Sequence, residues 1–256
     1  MKKRIQFVKN WLKKNGCFCN ILICVFILIV VCRIAYDINV YVCGATLVIR
    51  YESKSGYQYL LRLPPGYNTF SGKRPLIIYL HGAGEVGKDV TELKDKELWF
   101  WSRDYTTPDV FPFIVVSPMT EKYGWNPKRL KVLVDELTIQ NTNRFQIDIS
   151  QVYLTGYSMG AFGTFETACQ FPDLFTAIAP VAGGGCVQEA PKLQQLPIWA
   201  FHGDADPVVD YSASKEMIDA VKQTGNPEAK LTTYVGYDHG IASHVYQRQD
   251  LYKWFL

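Results

Sequence analysis

The sequence predicts an α/β fold in which a mostly parallel central sheet carries helices on both faces. Two observations support this prediction: β-rich apolar runs alternate with helix-like segments, and most of the runs are continuously apolar, as in strands buried on both faces. The chain has 256 residues, of which 48% are hydrophobic and 20% charged. A chain of this length buries a full core without disulfide or metal staples. Its composition excludes a disordered protein, a collagen and a multi-span transporter.

The elements follow in order along the chain. Residues 46–52 and 57–63 are β-rich and flank a Ser-Lys-Ser-Gly turn, which predicts an opening antiparallel hairpin. Six further runs predict strands at residues 75–80, 111–117, 151–155, 177–181, 197–201 and 231–235. Helices are predicted at residues 127–139, 159–170, 212–224 and 249–256. Pro127 suits the first turn of its helix. The sequence shows no internal repeat, low-complexity tract or linker to a second domain.

The amino terminus has the pattern of a membrane anchor. Residues 1–16 form a basic segment, and an unbroken apolar run at 21–32 follows it. The basic flank predicts a signal-anchor helix at residues 17–36 that holds the amino end in the cytoplasm. A cleaved signal peptide, which would release a secreted protein, is the alternative, but no small-x-small cleavage site follows the run. A buried helix of a soluble fold is a third interpretation. Residues 33–44 are expected to form a short stalk, and residues 45–256 the globular domain.

Charge and cysteine placement exclude several further classes. Seven of the 27 basic residues and no acid fall in residues 1–33, which leaves 20 bases against 24 acids in the body, a net charge of −4. A mildly acidic body argues against nucleic-acid binding. The chain has four histidines and no C-x-x-C pair, so we predict neither a metal site nor a cofactor. A disulfide between Cys169 and Cys186 is compatible with the sequence but not required by it.

Residues 156–160 read Gly-Tyr-Ser-Met-Gly, a G-x-S-x-G pattern between a predicted strand and a predicted helix. This is the context of a nucleophile elbow, in which a sharp turn lifts a serine hydroxyl above the sheet. The helix amino terminus beside it favours developing negative charge. Ser158 is therefore the candidate nucleophile. The alternative is a tight strand–helix turn with Ser158 as a simple N-cap.

An acid and a histidine follow in loops after later strands. Asp204, Asp206 and Asp210 compete for the acid that would orient a histidine, and we choose Asp206, partly because Pro207 stiffens the backbone beside it. His239 lies on a glycine-flanked loop after the last strand and is the candidate base, with His244 as its rival. The two remaining histidines, His81 and His202, are expected to orient loops by hydrogen bonds. The chain order of serine, acid and histidine is that of an α/β-hydrolase.

The segment 82–87 matches G-x-G-x-x-G after a strand, which also occurs in dinucleotide-binding folds. The next β-run ends in Ser117 and lacks the acid that would bind a ribose, so we reject that interpretation. We expect an oxyanion loop instead, with the backbone N–H groups of Ala83 and Met159 as donors.

These motifs together resemble a known family. The segments LHGAGEVGKD, VYLTGYSMGAFGTFETACQF, PIWAFHGDADPVV and YDHG are similar to the esterases often labelled predicted peptidases, which are related to feruloyl and acetyl-xylan esterases and polyhydroxyalkanoate depolymerases. The resemblance implies an α/β-hydrolase fold and a serine carboxylic-ester hydrolase that uses the Ser158, Asp206 and His239 triad.

Other activities and partners remain open at this stage. A peptidase or thioesterase would use the same triad, and a non-catalytic binding protein of this fold is the alternative from another class. The expected substrate is a small-molecule or polysaccharide-linked ester. Trp101 and Trp125 are candidate substrate-binding residues within an aromatic group that also contains Trp99, Phe100 and Tyr105.

Overall fold

The computed structural model describes residues 40–43, 46–64, 67, 72–96, 98, 110–140 and 145–256. The predicted basic segment and the predicted anchor at 17–36 lie outside the described residues. Among the residues that are described, no helix is long and apolar enough to cross a membrane. The anchor therefore stays a prediction from the sequence.

Within the described part of the chain, nine strands form one sheet in the order β1-β2-β3-β5-β4-β6-β7-β8-β9. Their bounds are β1 Val40–Cys43, β2 Thr46–Glu52, β3 Gln58–Arg62, β4 Arg74–Leu80, β5 Ile114–Met119, β6 Ile147–Tyr157, β7 Ala177–Val181, β8 Ile198–Gly203 and β9 Ala229–Tyr234. The β2–β3 and β3–β5 pairs are antiparallel, and every pair from β5 through β4 to β9 is parallel. The mostly parallel α/β sheet predicted from the sequence is confirmed.

The sheet is covered on both faces, since every residue of β5, β7 and β8 and every residue of β4 after Arg74 is buried. In β4, Leu76, Ile78 and Leu80 belong to one buried cluster, whereas Ile77 and Tyr79 belong to a second. Successive side chains of a strand point to opposite faces, so the two clusters are the two cores on either side of the sheet.

Helices alternate with the strands much as predicted. They are α1 Pro127–Asp135, α2 Met159–Gln170, α3 Ser212–Gln223, α4 Ala242–Tyr246 and α5 Gln249–Phe255. Asn126 caps α1 by accepting a hydrogen bond from the N–H of Arg129. The predicted helix 127–139 changes to a π-helical turn, Glu136–Gln140, after α1 ends.

Two expectations about the strands are corrected. The predicted stalk at 33–44 is wrong at its end, because Val40–Cys43 pairs with β2 as the edge strand β1. The alternation of valine with tyrosine and cysteine there favours a strand. The strand predicted at 111–117 begins instead at Ile114, since Pro112 has no N–H for a strand ladder. Phe111 and Phe113 pack edge to face in the core, with ring centroids 5.2 Å apart.

Candidate active site

Ser158 occupies a strained turn between the end of β6 and the start of α2. Its backbone angles are φ 56° and ψ −119°, a region that residues with a Cβ rarely adopt. Its N–H donates to the carbonyl of Val181 at 2.9 Å, and its own carbonyl accepts from the N–H of Ala161 at 2.8 Å. These bonds hold the half-buried serine at the amino terminus of α2.

Two glycines allow this turn to press against the end of β4. A Cβ on Gly160 would lie 2.0 Å from the carbonyl oxygen of Leu80, and a Cβ on Gly156 would lie 2.4 Å from the carbonyl oxygen of Gly160. No side chain fits at such distances. The elbow and the loop that follows β4 are therefore in direct backbone contact.

The structure brings Ser158, His239 and Asp206 into one row of hydrogen bonds. The Nε2 atom of His239 lies 2.9 Å from the Oγ of Ser158, and its Nδ1 lies 2.6 Å from the Oδ2 of Asp206. The imidazole side chain is 17% exposed, whereas the Asp206 side chain is fully buried. Ser158 and the imidazole are therefore partly open to solvent, while the carboxylate is kept from water.

Asp206 is held in its ionised form by the groups around it. Burial raises the pKa of this carboxyl, but hydrogen bonds from His239 and from the backbone N–H groups of Val209 and Val208 outweigh burial and hold the pKa below its usual value. Those two N–H groups donate to Oδ1 at 2.8 Å from Val208 and 2.9 Å from Val209. A carboxylate in this state accepts the Nδ1–H of His239 and fixes the tautomer of the ring.

Tyr157 supports His239 and was not singled out by the sequence analysis. Its hydroxyl donates to the carbonyl oxygen of His239 at 3.0 Å, and the two rings lie 5.1 Å apart. The available signal was an aromatic residue directly before the candidate nucleophile. Since Tyr157 ends β6, it ties the histidine loop to the same strand that delivers Ser158.

The rival acids and base have other partners. Asp204 is exposed and accepts from the N–H of Gly236 at 2.6 Å, while Asp210 accepts from the N–H of Ser212 at 2.8 Å as α3 begins. His244 is exposed on α4, and its ring packs against Tyr237 at 4.9 Å. The structure does not join these side chains to Ser158.

The loop after β4 contains one of the two predicted oxyanion donors, and α2 begins with the other. Ala83 begins a short 3₁₀ turn, Ala83–Glu85. Met159 is the first residue of α2, where backbone N–H groups lack intrahelical acceptors. A Cβ on Gly82 would lie 3.5 Å from the carbonyl oxygen of Tyr157, so this loop borders the elbow.

His81 holds the loop after β4 through two hydrogen bonds, as expected. Its Nε2 accepts from the N–H of Thr120 at 3.1 Å, so its hydrogen is on Nδ1, which donates to the carbonyl oxygen of Gly82 at 2.7 Å. Burial lowers the pKa of His81 to about 4, partly offset by the bond to Gly82, and the ring is therefore neutral at pH 7.

Of the aromatic candidates for substrate binding, the structure describes only Trp125. Trp101 lies outside the described residues, as do Trp99, Phe100 and Tyr105. Trp125 is 5% exposed, donates from Nε1 to the carbonyl oxygen of His81 at 3.3 Å and packs against Gly163. Its contact with substrate stays a prediction, and its visible role is to support the loop after β4.

Cys169 and Cys186 are free thiols, of which Cys169 is buried and Cys186 exposed. Burial raises the pKa of the Cys169 thiol to about 12. Within the described ranges, no group of three or more histidine, cysteine or acidic side chains is placed to hold a metal ion.

Comparison with known proteins finds likenesses to esterases. The Phospholipase/Carboxylesterase family matches residues 126–252. The chain is 28% identical over 188 residues to a probable feruloyl esterase C of Aspergillus terreus, covering 71% of this chain and 67% of that one. It is 28% identical over 141 residues to the bifunctional acetylxylan esterase/xylanase XynS20E of Neocallimastix patriciarum, covering 54% of this chain but 20% of that enzyme.

Among solved structures, a thermostable esterase superimposes with a TM-score of 0.66 at 28% identity, covering 82% of this chain and 62% of that one. The chain thus spans only part of this esterase and of the bifunctional enzyme. The sheet order, the elbow and these likenesses agree: the chain has an α/β-hydrolase fold and is similar to esterases.

Proposed function

We propose that the protein hydrolyses carboxylic esters through an acyl-enzyme on Ser158. The observation that carries the proposal is the row of hydrogen bonds from Ser158 Oγ through His239 to the buried carboxylate of Asp206. A serine hydroxyl is a weak nucleophile until an adjacent base takes its proton, and this arrangement supplies that base in a fixed tautomer.

In the proposed first half-reaction, the Oγ of Ser158 attacks the ester carbonyl carbon while Nε2 of His239 takes the hydroxyl proton. The carbonyl oxygen becomes an oxyanion that accepts hydrogen bonds from the N–H groups of Ala83 and Met159. The intermediate collapses as the C–O bond to the alcohol breaks, and His239 returns the proton to the departing alkoxide. Asp206 stabilises the imidazolium that forms in between.

In the second half-reaction, water attacks the acyl-serine carbonyl carbon and gives one proton to His239. The ester bond to Oγ breaks, Ser158 recovers its proton from His239, and the carboxylic acid leaves. The same oxyanion donors serve both steps, so no metal or cofactor is needed for this chemistry.

The substrate class we propose is a small-molecule or polysaccharide-linked ester. The support is the likeness to a feruloyl esterase and to an acetylxylan esterase/xylanase by name. A panel of aryl, short-acyl and long-acyl esters, with one thioester and one peptide, separates the candidate activities. Faster turnover of the thioester or peptide than of every ester would replace the proposed reaction class.

The decisive experiment uses a fluorophosphonate probe and a Ser158→Ala variant. Wild-type protein should be labelled on Ser158, and the variant should fold, escape labelling and lose at least about 10³-fold in kcat. An unlabelled wild type without turnover would favour a non-catalytic binding protein. A variant that keeps a tenth of the wild-type rate would remove Ser158 from the mechanism.

We further propose that residues 17–36 anchor the protein in a membrane, with residues 1–16 in the cytoplasm and residues 45–256 outside it. The support is the acid-free basic flank before the apolar run and the absence of a cleavage site after it. Protease added to intact cells, with any outer membrane first permeabilised, should remove the catalytic domain and leave a short stub. Full-length enzyme in the cytosolic fraction would refute the anchor, and mature protein in the medium would indicate a cleaved signal.

A further inference from the structure

We propose that His202 is a positioning residue for Asp206, which it holds from the side opposite His239 by donating a hydrogen bond from Nε2. This inference rests on the proposed function, because it assigns His202 a part in that reaction through Asp206. The evidence is the burial of the ring, the partners of its two nitrogens and the number of donors around the carboxylate.

His202 lies near the end of β8 and is fully buried. Its Nε2 is 3.1 Å from the Oδ2 of Asp206 and 3.0 Å from the carbonyl oxygen of Val209. Both partners are acceptors in the ionised site, so Nε2 carries a hydrogen and donates it. This one hydrogen is shared between the two acceptors, and its branch to Asp206 reaches the same oxygen, Oδ2, that faces Nδ1 of His239.

The other end of the ring is fixed as well. Nδ1 lies 2.7 Å from the Oγ of Ser214 on α3, and this hydroxyl lies 2.5 Å from the carbonyl oxygen of Gly183. A Cβ on Gly183 would lie 2.9 Å from the carbonyl oxygen of Ser158, so the chain of contacts returns to the elbow. His202 is thus held between α3 and the loops around the nucleophile.

The carboxylate of Asp206 then has four donors. Oδ1 accepts from the N–H groups of Val208 and Val209, and Oδ2 accepts from His239 and His202. A carboxylate offers about four lone-pair sites. Because every site is used, the group cannot rotate without breaking a bond, and Oδ2 stays aimed at His239.

Loss of the hydrogen bond from His202 should make the site bind protons more strongly. Asp206 would bind protons more strongly, and a more basic carboxylate also stabilises the His239 imidazolium. Both effects move the acid limb of the kcat/KM profile to higher pH. The titratable groups near His202 include Asp206, His239 on the same carboxylate oxygen, and Tyr211, whose ring lies 5.8 Å away edge to face; Asp210 precedes Tyr211 in the same loop.

Two substitutions distinguish the contributions of the two ring nitrogens of His202. In His202→Gln the side-chain NH₂ reaches the position of Nε2 and can still donate to Asp206, whereas in His202→Asn it reaches only the position of Nδ1, toward Ser214. Thr155→Val is the matched control, since Thr155 is buried and bonds to the Ala179 carbonyl and the Tyr246 hydroxyl, away from this network.

We expect His202→Asn to lower kcat at least about 10-fold with little change in KM, and to raise the midpoint of the acid limb by about one pH unit. His202→Gln should keep most of kcat and the wild-type acid limb, and Thr155→Val should change neither. Equal losses in both histidine variants, or an unmoved acid limb in His202→Asn, would overturn the positioning role.

A measurement that needs no turnover tests the His202 contact independently of the proposed ester hydrolysis. Nitrogen NMR of the resting enzyme, labelled with ¹⁵N-histidine, reports which ring nitrogens carry hydrogen. The His202 signals, assigned from their loss in His202→Gln, should show a protonated Nε2 whose shift changes in Asp206→Asn. An unprotonated Nε2 overturns the inference. An enzyme without turnover or probe labelling, yet with this signal, would refute the ester hydrolysis while leaving the His202 contact intact.

Discussion

Replacement of Gly160 by alanine tests the contact between the elbow and the end of β4. The new Cβ would lie 2.0 Å from the carbonyl oxygen of Leu80, 2.7 Å from its carbonyl carbon and 2.9 Å from the carbonyl oxygen of His81. All three atoms belong to the backbone, so relief requires a shift of roughly 1 Å in either α2 or β4. Overpacking of a core lowers the free energy of unfolding by about 1–3 kcal/mol, and a backbone clash of this size should lower it by an amount near the upper end of that range.

For a domain of this size, each kcal/mol lowers Tm by about 2–4 °C, so a cost of about 3 kcal/mol predicts a loss of about 6–12 °C. Differential scanning calorimetry of Gly160→Ala measures it. Gly84→Ala is the matched control for stability, because its Cβ would meet nothing within 4 Å. A Gly160→Ala protein that melts within about 1 °C of the control would refute the close approach.

Two further predictions concern titratable side chains. Asp206→Asn and His239→Ala should each lower kcat/KM about 10³-fold or more, while Asp204→Asn and His244→Ala should cost little; steady-state kinetics decides, and the reverse pattern would reassign the acid and base. Because burial lowers the pKa of His81 from 6.5 to about 4, the unfolded chain binds the proton first as pH falls. About 3 kcal/mol of stability should therefore be lost between pH 6.5 and pH 4. The free energy of unfolding, measured with urea at several pH values, should fall with decreasing pH in this way in the wild type and less steeply in His81→Gln. Equal dependence on pH in the two proteins would contradict the prediction.

Much of the fold could be predicted because apolar runs and turn residues specify the sheet. The strands 46–52 and 177–181 and the helix 159–170 were predicted at their observed bounds. The spatial order of the strands was not deduced, since it depends on which buried surfaces meet. Strand β1 was missed because four residues give too short a pattern to separate from a stalk.

The side chains of the candidate site could be predicted where short sequence motifs contain them. Ser158, Asp206 and His239 each follow a strand, and parallel strands bring their carboxyl ends to one edge of a sheet. The supporting contacts were not predictable, because the bond from the Tyr157 hydroxyl to His239 joins residues 82 positions apart. His202 was expected to orient a loop, but its bond to Asp206 required the structure.

The position of β9 at the edge of the described sheet affects how the protein should lose activity on heating. Its side chains are mostly half-buried, and only β8 flanks it. Edge strands of this kind open locally at a lower free energy than the central strands do. Since the His239 loop follows β9, such an opening moves His239 away from Ser158 while β4 and β6 remain paired. Thermal inactivation should then precede the loss of the circular dichroism signal, and hydrogen exchange should be faster in β9 than in the central strands β4 and β6.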